Sequence, residues 1–178
     1  TMTNTVYIAT SLDGYIADEN GGLDWLHSIP NPEGSDFGFA EFMDRIDALV
    51  MGRNTFKTVC GFGGDWPYPK PVFVVSSTLT EIPEAYQDKA QLISGTVREI
   101  MKQLSNQGYQ NLYIDGGKTV QSFLQADLID ELIITQIQIL LGTGIPLFGA
   151  LEQPLKLGLK GSETLMDSLV KTHYIRQR

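Results

Sequence analysis

Apolar positions along this chain follow two rhythms. Short β-branched runs bounded by turn residues lie at 5–10 (TVYIAT), 48–52 (ALVMG), 72–77 (VFVVSS), 91–94 (QLIS), 111–115 (NLYID) and 130–138 (DELIITQIQ), and each predicts a buried strand. Between them the spacing turns helical. After Asp36, which is placed to act as an N-cap, Phe39, Phe42, Met43 and Ile46 share one helical face. Thr96 and Glu99 have the spacing of a capping box, Val97, Ile100, Met101 and Leu104 form the stripe behind it, and Gly108 stops the helix. A Gly-Gly turn at 116–117 opens another helix through KTVQSFLQAD. The tail differs, because the strand-like runs 155–165 and 168–176 flank Met166-Asp167 and predict an antiparallel hairpin. Residues 18–36 and 140–149 are rich in Gly, Asp, Asn or Pro and are expected to be loops. Strands alternating with helices and closed by a hairpin predict an α/β fold with a mainly parallel central sheet and an antiparallel edge.

Composition narrows the function. The 178 residues hold 42% hydrophobic positions, enough for one sizeable core, and no linker or repeat divides them, so residues 2–178 read as one domain with Thr1 left aside ahead of Met2. Lys and Arg number 13 against 21 Asp and Glu, a net charge of −8, with no basic stripe to follow a phosphate backbone; no nucleic-acid partner is expected. The absence of a long apolar run or signal-peptide pattern predicts a cytoplasmic protein without a membrane partner. One cysteine, Cys60, and two histidines, His27 and His173, exclude an intramolecular disulfide and make a metal site unexpected.

Two strand ends carry candidate chemistry. Gly52-Arg53-Asn54-Thr55 and Gly116-Gly117-Lys118-Thr119 each place glycine, then a basic residue, where a helix begins. Amides at a helix N-terminus carry partial positive charge and glycine admits close approach of an oxyanion, so the pair suits the two halves of one pyrophosphate. Ser76 and Ser77 end another strand, where hydroxyls together with Arg53 suit a monophosphate such as that of NADPH. Serine in a turn also bonds its own backbone. Three apparent motifs fail. GGKT is not a P-loop because Leu112 stands where that pattern needs glycine, GFGGDW at 61–66 ends in Trp66 and follows no strand, and Ser11, Asp13 and His27 lack a nucleophile elbow.

Taken in order, VYIATSLDGYIA, DALVMGRNT, VFVVSST, LYIDGGKT and IDELIITQIQILLGTGIPLFG resemble the dihydrofolate reductase-like superfamily, in particular stand-alone relatives of the riboflavin-biosynthesis reductase domain. The resemblance implies a three-layer fold of about eight strands with helices on both faces, NADPH as cofactor, and hydride transfer to a small heterocyclic substrate. Carried over by position, it assigns Gly52, Arg53, Asn54 and Thr55 to one phosphate loop and Gly116, Gly117, Lys118, Thr119 and Val120 to the other. It assigns Ser76 and Ser77 to the adenosine side and Ala9 to the nicotinamide carboxamide, and it makes 18–26, with Trp25, a loop over the ring. It further implies a homodimer, a plausible use for the apolar C-terminal strands.

On the substrate side, Asp36 falls where folate reductases carry the acid that holds the pterin, and Thr135 where its partner hydroxyl sits. Asp36 is equally explained as a helix cap. Asp13, in SLDG, is either a substrate contact or the residue that fixes the turn with Gly14. Tyr15 replaces the basic residue usual after SLDG in riboflavin-pathway reductases, Val120 replaces an aromatic residue of folate reductases, and no deaminase domain is expected. The expected activity is therefore reduction of an aminopyrimidine or a pterin-like ring. True dihydrofolate reduction, or a dinucleotide-binding protein without turnover, are the alternatives.

Overall fold

The computed structural model describes residues 2–178. Strand β1 (Thr3–Ser11) lies inside an eight-stranded sheet. To one side the chain adds β3 (Ala48–Gly52), β4 (Val72–Val75) and β5 (Ala90–Ile93), then returns to insert β6 (Asn111–Asp115) between β3 and β1. To the other side come β7 (Glu131–Ile137), β10 (Leu169–Arg176) and β9 (Leu157–Leu165), giving the order β5-β4-β3-β6-β1-β7-β10-β9. The first six of these are mutually parallel, β10 runs antiparallel to β7 and β9 antiparallel to β10, as the alternation of elements and the closing hairpin predict. Met166, Asp167 and Ser168 join β9 to β10, and Met166 and Asp167, with φ of 50° and 58°, are the left-handed pair that lets the tight turn follow the sheet's twist.

Period-two alternation of the parallel strands divides the core into two layers. Ala48, Val50, Leu112, Ile114, Val6 and Leu132 point to one face, under α4 (Val97–Asn106) and α5 (Gly117–Gln125). Leu49, Met51, Val72, Val74, Tyr113 and Ile133 point to the other, under α2 (Phe39–Asp44) and α3 (Arg53–Gly61). Helices thus cover both faces. The capping box opens α4 as its spacing predicts, with the Glu99 amide donating to Thr96 Oγ1 at 3.2 Å and the Thr96 amide to Glu99 Oε1 at 3.2 Å.

Three details depart from the expected elements. Asp36 is not the first residue before the helix: Gly38, at φ 86°, makes a turn, and α2 starts at Phe39. The loop at 18–36 contains one helical turn, α1 (Asp24–His27), and is entered from the short strand β2 (Tyr15–Ala17). β2 pairs with β8 (Ile145–Pro146) inside the glycine-rich loop at 140–149. Elements of two to four residues are too short to show a hydrophobic period. No helix among the described residues is long and apolar enough to cross a membrane.

Candidate active site

Because β6 inserts between β3 and β1 while β7 extends the other way, the carboxyl ends of β1 to β7 border a crevice, the usual ligand position in an open α/β sheet. A cleft of about 1690 Å³ lies there. That exceeds the roughly 300–1,000 Å³ of sites for drug-sized ligands and leaves room for an extended cofactor beside a second ligand. Ala9, Asp36, Gly52, Arg53, Asn54, Thr55, Ser76, Ser77, Gly116, Gly117, Lys118, Thr119 and Thr135 all line it.

The two glycine turns meet on neighbouring strands, where Met51 of β3 is in register with Asp115 of β6. A Cβ on Gly52 would fall 2.8 Å from Thr119 Oγ1, and a Cβ on Gly116 would overlap the Thr55 hydroxyl. Gly116 also holds φ 97°, a conformation side chains disfavour. Gly117 is packed beneath the β2–β8 pair, since a Cβ there would lie 3.1 Å from Pro146 O. The first turns of α3 and α5 therefore converge, with little bulk between their exposed amides. Beside them the Arg53 Nε is buried without a hydrogen-bond partner among the described residues. An orphaned guanidinium nitrogen next to a glycine cradle fits an anionic cofactor group.

Ser76 Oγ accepts from the Leu79 amide at 2.9 Å and the Thr78 amide at 3.2 Å, so it organises the turn after β4, while Ser77 is exposed beside it. Ala9 of β1 and Thr135 of β7 are register partners at the other end of the cleft. Two sequence-predicted residues lie elsewhere. Val120 is fully buried in the α4/α5 core layer and its amide donates to Gly116 O at 2.9 Å, so neither side chain nor amide faces the cleft. Asp13 is a loop clamp outside the cleft. Its carboxylate accepts from Ser11 Oγ at 2.6 Å, the Gly142 amide at 2.8 Å and the Leu141 amide at 3.2 Å, tying the turn to the glycine-rich loop. The Ser11 bond above all holds Asp13 below the ordinary carboxylate range.

The sequence profile of the RibD C-terminal domain matches residues 3–171. This chain belongs to the RibD C-terminal domain family. Among its relatives is the uncharacterized Bacillus subtilis protein YwjB, 38% identical over 173 residues, 96% of each chain. A Shewanella sp. PV-4 protein assigned provisionally to riboflavin biosynthesis superimposes with a TM-score of 0.96 at 56% identity, over 99% of this chain and all of that one. The Thermotoga maritima diaminohydroxyphosphoribosylaminopyrimidine deaminase/5-amino-6-(5-phosphoribosylamino)uracil reductase gives a TM-score of 0.75 at 17% identity. This chain covers 57% of it, and the likeness is one of fold alone.

In this RibD C-terminal domain the main surprise is Asp115. It follows Tyr113 on β6 and looks, in the sequence, like the last residue of a strand, yet it lies at the cleft floor. Burial pushes its carboxyl up to about 6, although the Gly116 amide, 2.9 Å from Oδ1, favours the charged form; the Tyr113 hydroxyl beside it donates to Tyr7 O at 2.9 Å. Tyr7 and Tyr68 share this wall; Tyr7 stacks on Phe42 at 4.4 Å between ring centres. The signal available was an acid next to a glycine turn at a parallel-strand end, which composition does not separate from a capping acid.

Asp36 does line the cleft, and both its oxygens accept backbone bonds, from Gly38 at 2.9 Å and Ala40 at 3.0 Å. Those bonds, Ala40's first, hold its carboxyl below the usual range. The residue thus caps the chain reversal before α2 and presents an ionised carboxylate, which accepts hydrogen bonds but is a poor proton donor at neutral pH. In the 18–26 segment, Gly21, Leu23 and Leu26 border the cleft, while Trp25 is buried against Ile137 and Leu169 beneath it.

Proposed function

We propose that this protein is an NADPH-dependent reductase that transfers hydride to a small heterocycle, in line with the reductase named for its Thermotoga structural neighbour. The observation that carries this reading is the convergence of the Gly52 and Gly116 turns beside the unpartnered Arg53 Nε. Amides of the two helix starts and Lys118 would hold the pyrophosphate, and Arg53 with Ser77 the ribose phosphate that distinguishes NADPH from NADH. Bound there, NADPH supplies hydride from its nicotinamide ring.

The chain's own residues set the rest. The register pair Ala9 and Thr135 offers backbone and hydroxyl groups where the ring would lie, and the 18–26 segment screens that end from water. Asp115, neutral in part of its population near pH 6, is the acid suited to deliver a proton, whereas the ionised Asp36 suits a substrate N–H. The exposed apolar residues Leu159 and Val170 on the C-terminal hairpin support extending the proposal to a symmetric homodimer.

The test is isotopic. NADPH deuterated at nicotinamide C4 is supplied with aminopyrimidine and pterin-like substrates, and the product is analysed by mass spectrometry. Direct transfer predicts retention of deuterium in the product; oxidation of NADPH with no labelled product would contradict the reading.

A further inference from the structure

We propose that the ring-binding end of the cleft takes a flat heterocycle that carries no phosphate group. This rests on the reading of the cleft as a dinucleotide site and specifies the second ligand of that site.

The distribution of charge leads to it. Among the described residues, the Lys and Arg side chains lining the cleft are Arg53 and Lys118, in the first turns of α3 and α5, where they face the cofactor phosphates in that reading. Beyond Ala9 and Thr135 the wall is mainly apolar, formed by Leu23, Leu26, Ile29, Phe37, Ile137 and Leu169, with the neutral Asn31 beside them donating its Nδ2 to Ser35 O at 2.8 Å. Asp36 supplies a negative charge beside Phe37, with its oxygens fixed by the Gly38 and Ala40 amides. His27 also reaches the cleft, and its ring packs edge-on to Phe62 at 6.2 Å.

Lys171 comes near this wall but is engaged behind it. Its Nζ donates to Phe37 O at 2.9 Å and to Tyr7 Oη at 3.1 Å, lies 5.0 Å from the centre of the Tyr7 ring, and is 3.9 Å from Glu163. Tyr7 Oη in turn donates to Phe37 O. Drawing this ammonium into the cleft would dismantle the contact that seats the 31–38 segment on β1. A phosphate dianion at this end would therefore lose water, meet a carboxylate and find no Lys or Arg in place. A neutral planar ring buries against the aliphatic wall and can donate N–H groups to Asp36.

The test uses matched ligands. Calorimetric titrations on protein saturated with NADP+ compare 5-amino-6-(5-phosphoribosylamino)uracil with its dephosphorylated counterpart, alongside an unphosphorylated pterin. The unphosphorylated aminouracil should bind about tenfold or more tightly than its phosphorylated partner. Asp36→Asn should narrow that ratio and leave NADP+ affinity unchanged. Equal or tighter binding of the phosphorylated compound would overturn the proposal, as would failure of both unphosphorylated rings to bind. The preceding NADP+ titration reports on the cofactor reading separately: if NADP+ fails to bind, that reading falls, and the ring comparison is made on the protein alone.

Discussion

Gly116 holds its Cα against the hydroxyl of Thr55, at a backbone φ of 97°, so that any β-carbon at position 116 would overlap the Thr55 side chain. One residue belongs to the start of α5 and the other to the start of α3. Their contact brings two helix N-termini together at the carboxyl edge of adjacent parallel strands, and the proposed cofactor site depends on it.

Gly116→Ala should therefore damage both stability and binding. A backbone at φ 97° and ψ 145° is nearly exclusive to glycine and costs about 1–3 kcal/mol for a residue with a side chain, and the displaced Thr55 adds to it. Chemical denaturation should show the loss, and NADPH affinity should fall further than stability accounts for.

Arg53→Ala tests the identity of the anion. Loss of a charge-assisted contact worth about 1.5–3 kcal/mol should weaken NADPH roughly ten- to a hundredfold and leave NADH nearly unchanged. Equal weakening of both dinucleotides, measured by titration, would remove Arg53 from the ribose phosphate.

Asp115→Asn separates acid chemistry from architecture. Burial raises the Asp115 carboxyl to about 6, so ionisation opposes folding: the penalty is absent below the unfolded value near 3.8, grows as pH rises to about 6, and persists above it. The variant should be more stable than the parent at pH 8, by up to about 2 kcal/mol after allowance for solvent in the cleft, and equal to it near pH 4. Its kcat should drop, and the fall in rate expected as pH rises through about 6 should disappear.

Glu131 provides a structural counterpart remote from the proposed chemistry. Its Oε2 accepts from Arg45 at 2.6 Å and from Thr5 Oγ1 at 3.2 Å, and Oε1 lies 2.9 Å from His173 Nε2. Burial pushes its carboxyl up, but Arg45 and the His173 contact outweigh burial and leave it below the ordinary value. A depressed carboxyl stabilises the fold above about pH 4.5 and loses that contribution as pH falls through its folded value. Glu131→Gln should lower stability at pH 7 by about 1–2 kcal/mol and flatten the acid limb of a stability profile.

The strands and long helices were legible because each spans at least one full period of its apolar pattern; the buried faces of β3 and β6 and the stripe of α4 are written in consecutive residues. The two glycine turns were legible for a related reason, since each closes a strand and opens a helix, and adjacent parallel strands bring such ends together. Asp115 was not, because what makes it distinctive is a place in the cleft wall with Tyr7 and Tyr68, which come from elsewhere in the chain. Val120 shows the opposite failure. The resemblance assigns it to the second glycine loop, but the 3.6-residue turn of α5 points its side chain into the core with Phe123 and Leu124. For Asp13, a fold contact with Leu141 and Gly142 looks in sequence like a free acid after a strand.

The central claim is that the cleft binds a phosphorylated nicotinamide dinucleotide, and the most direct measurement is thermal stabilisation of the protein on titration with NADPH, with NADH in parallel. Binding to the native state must raise the apparent Tm. A saturable rise with NADPH at concentrations at least tenfold below those needed for NADH is predicted; no shift with either dinucleotide would contradict the account.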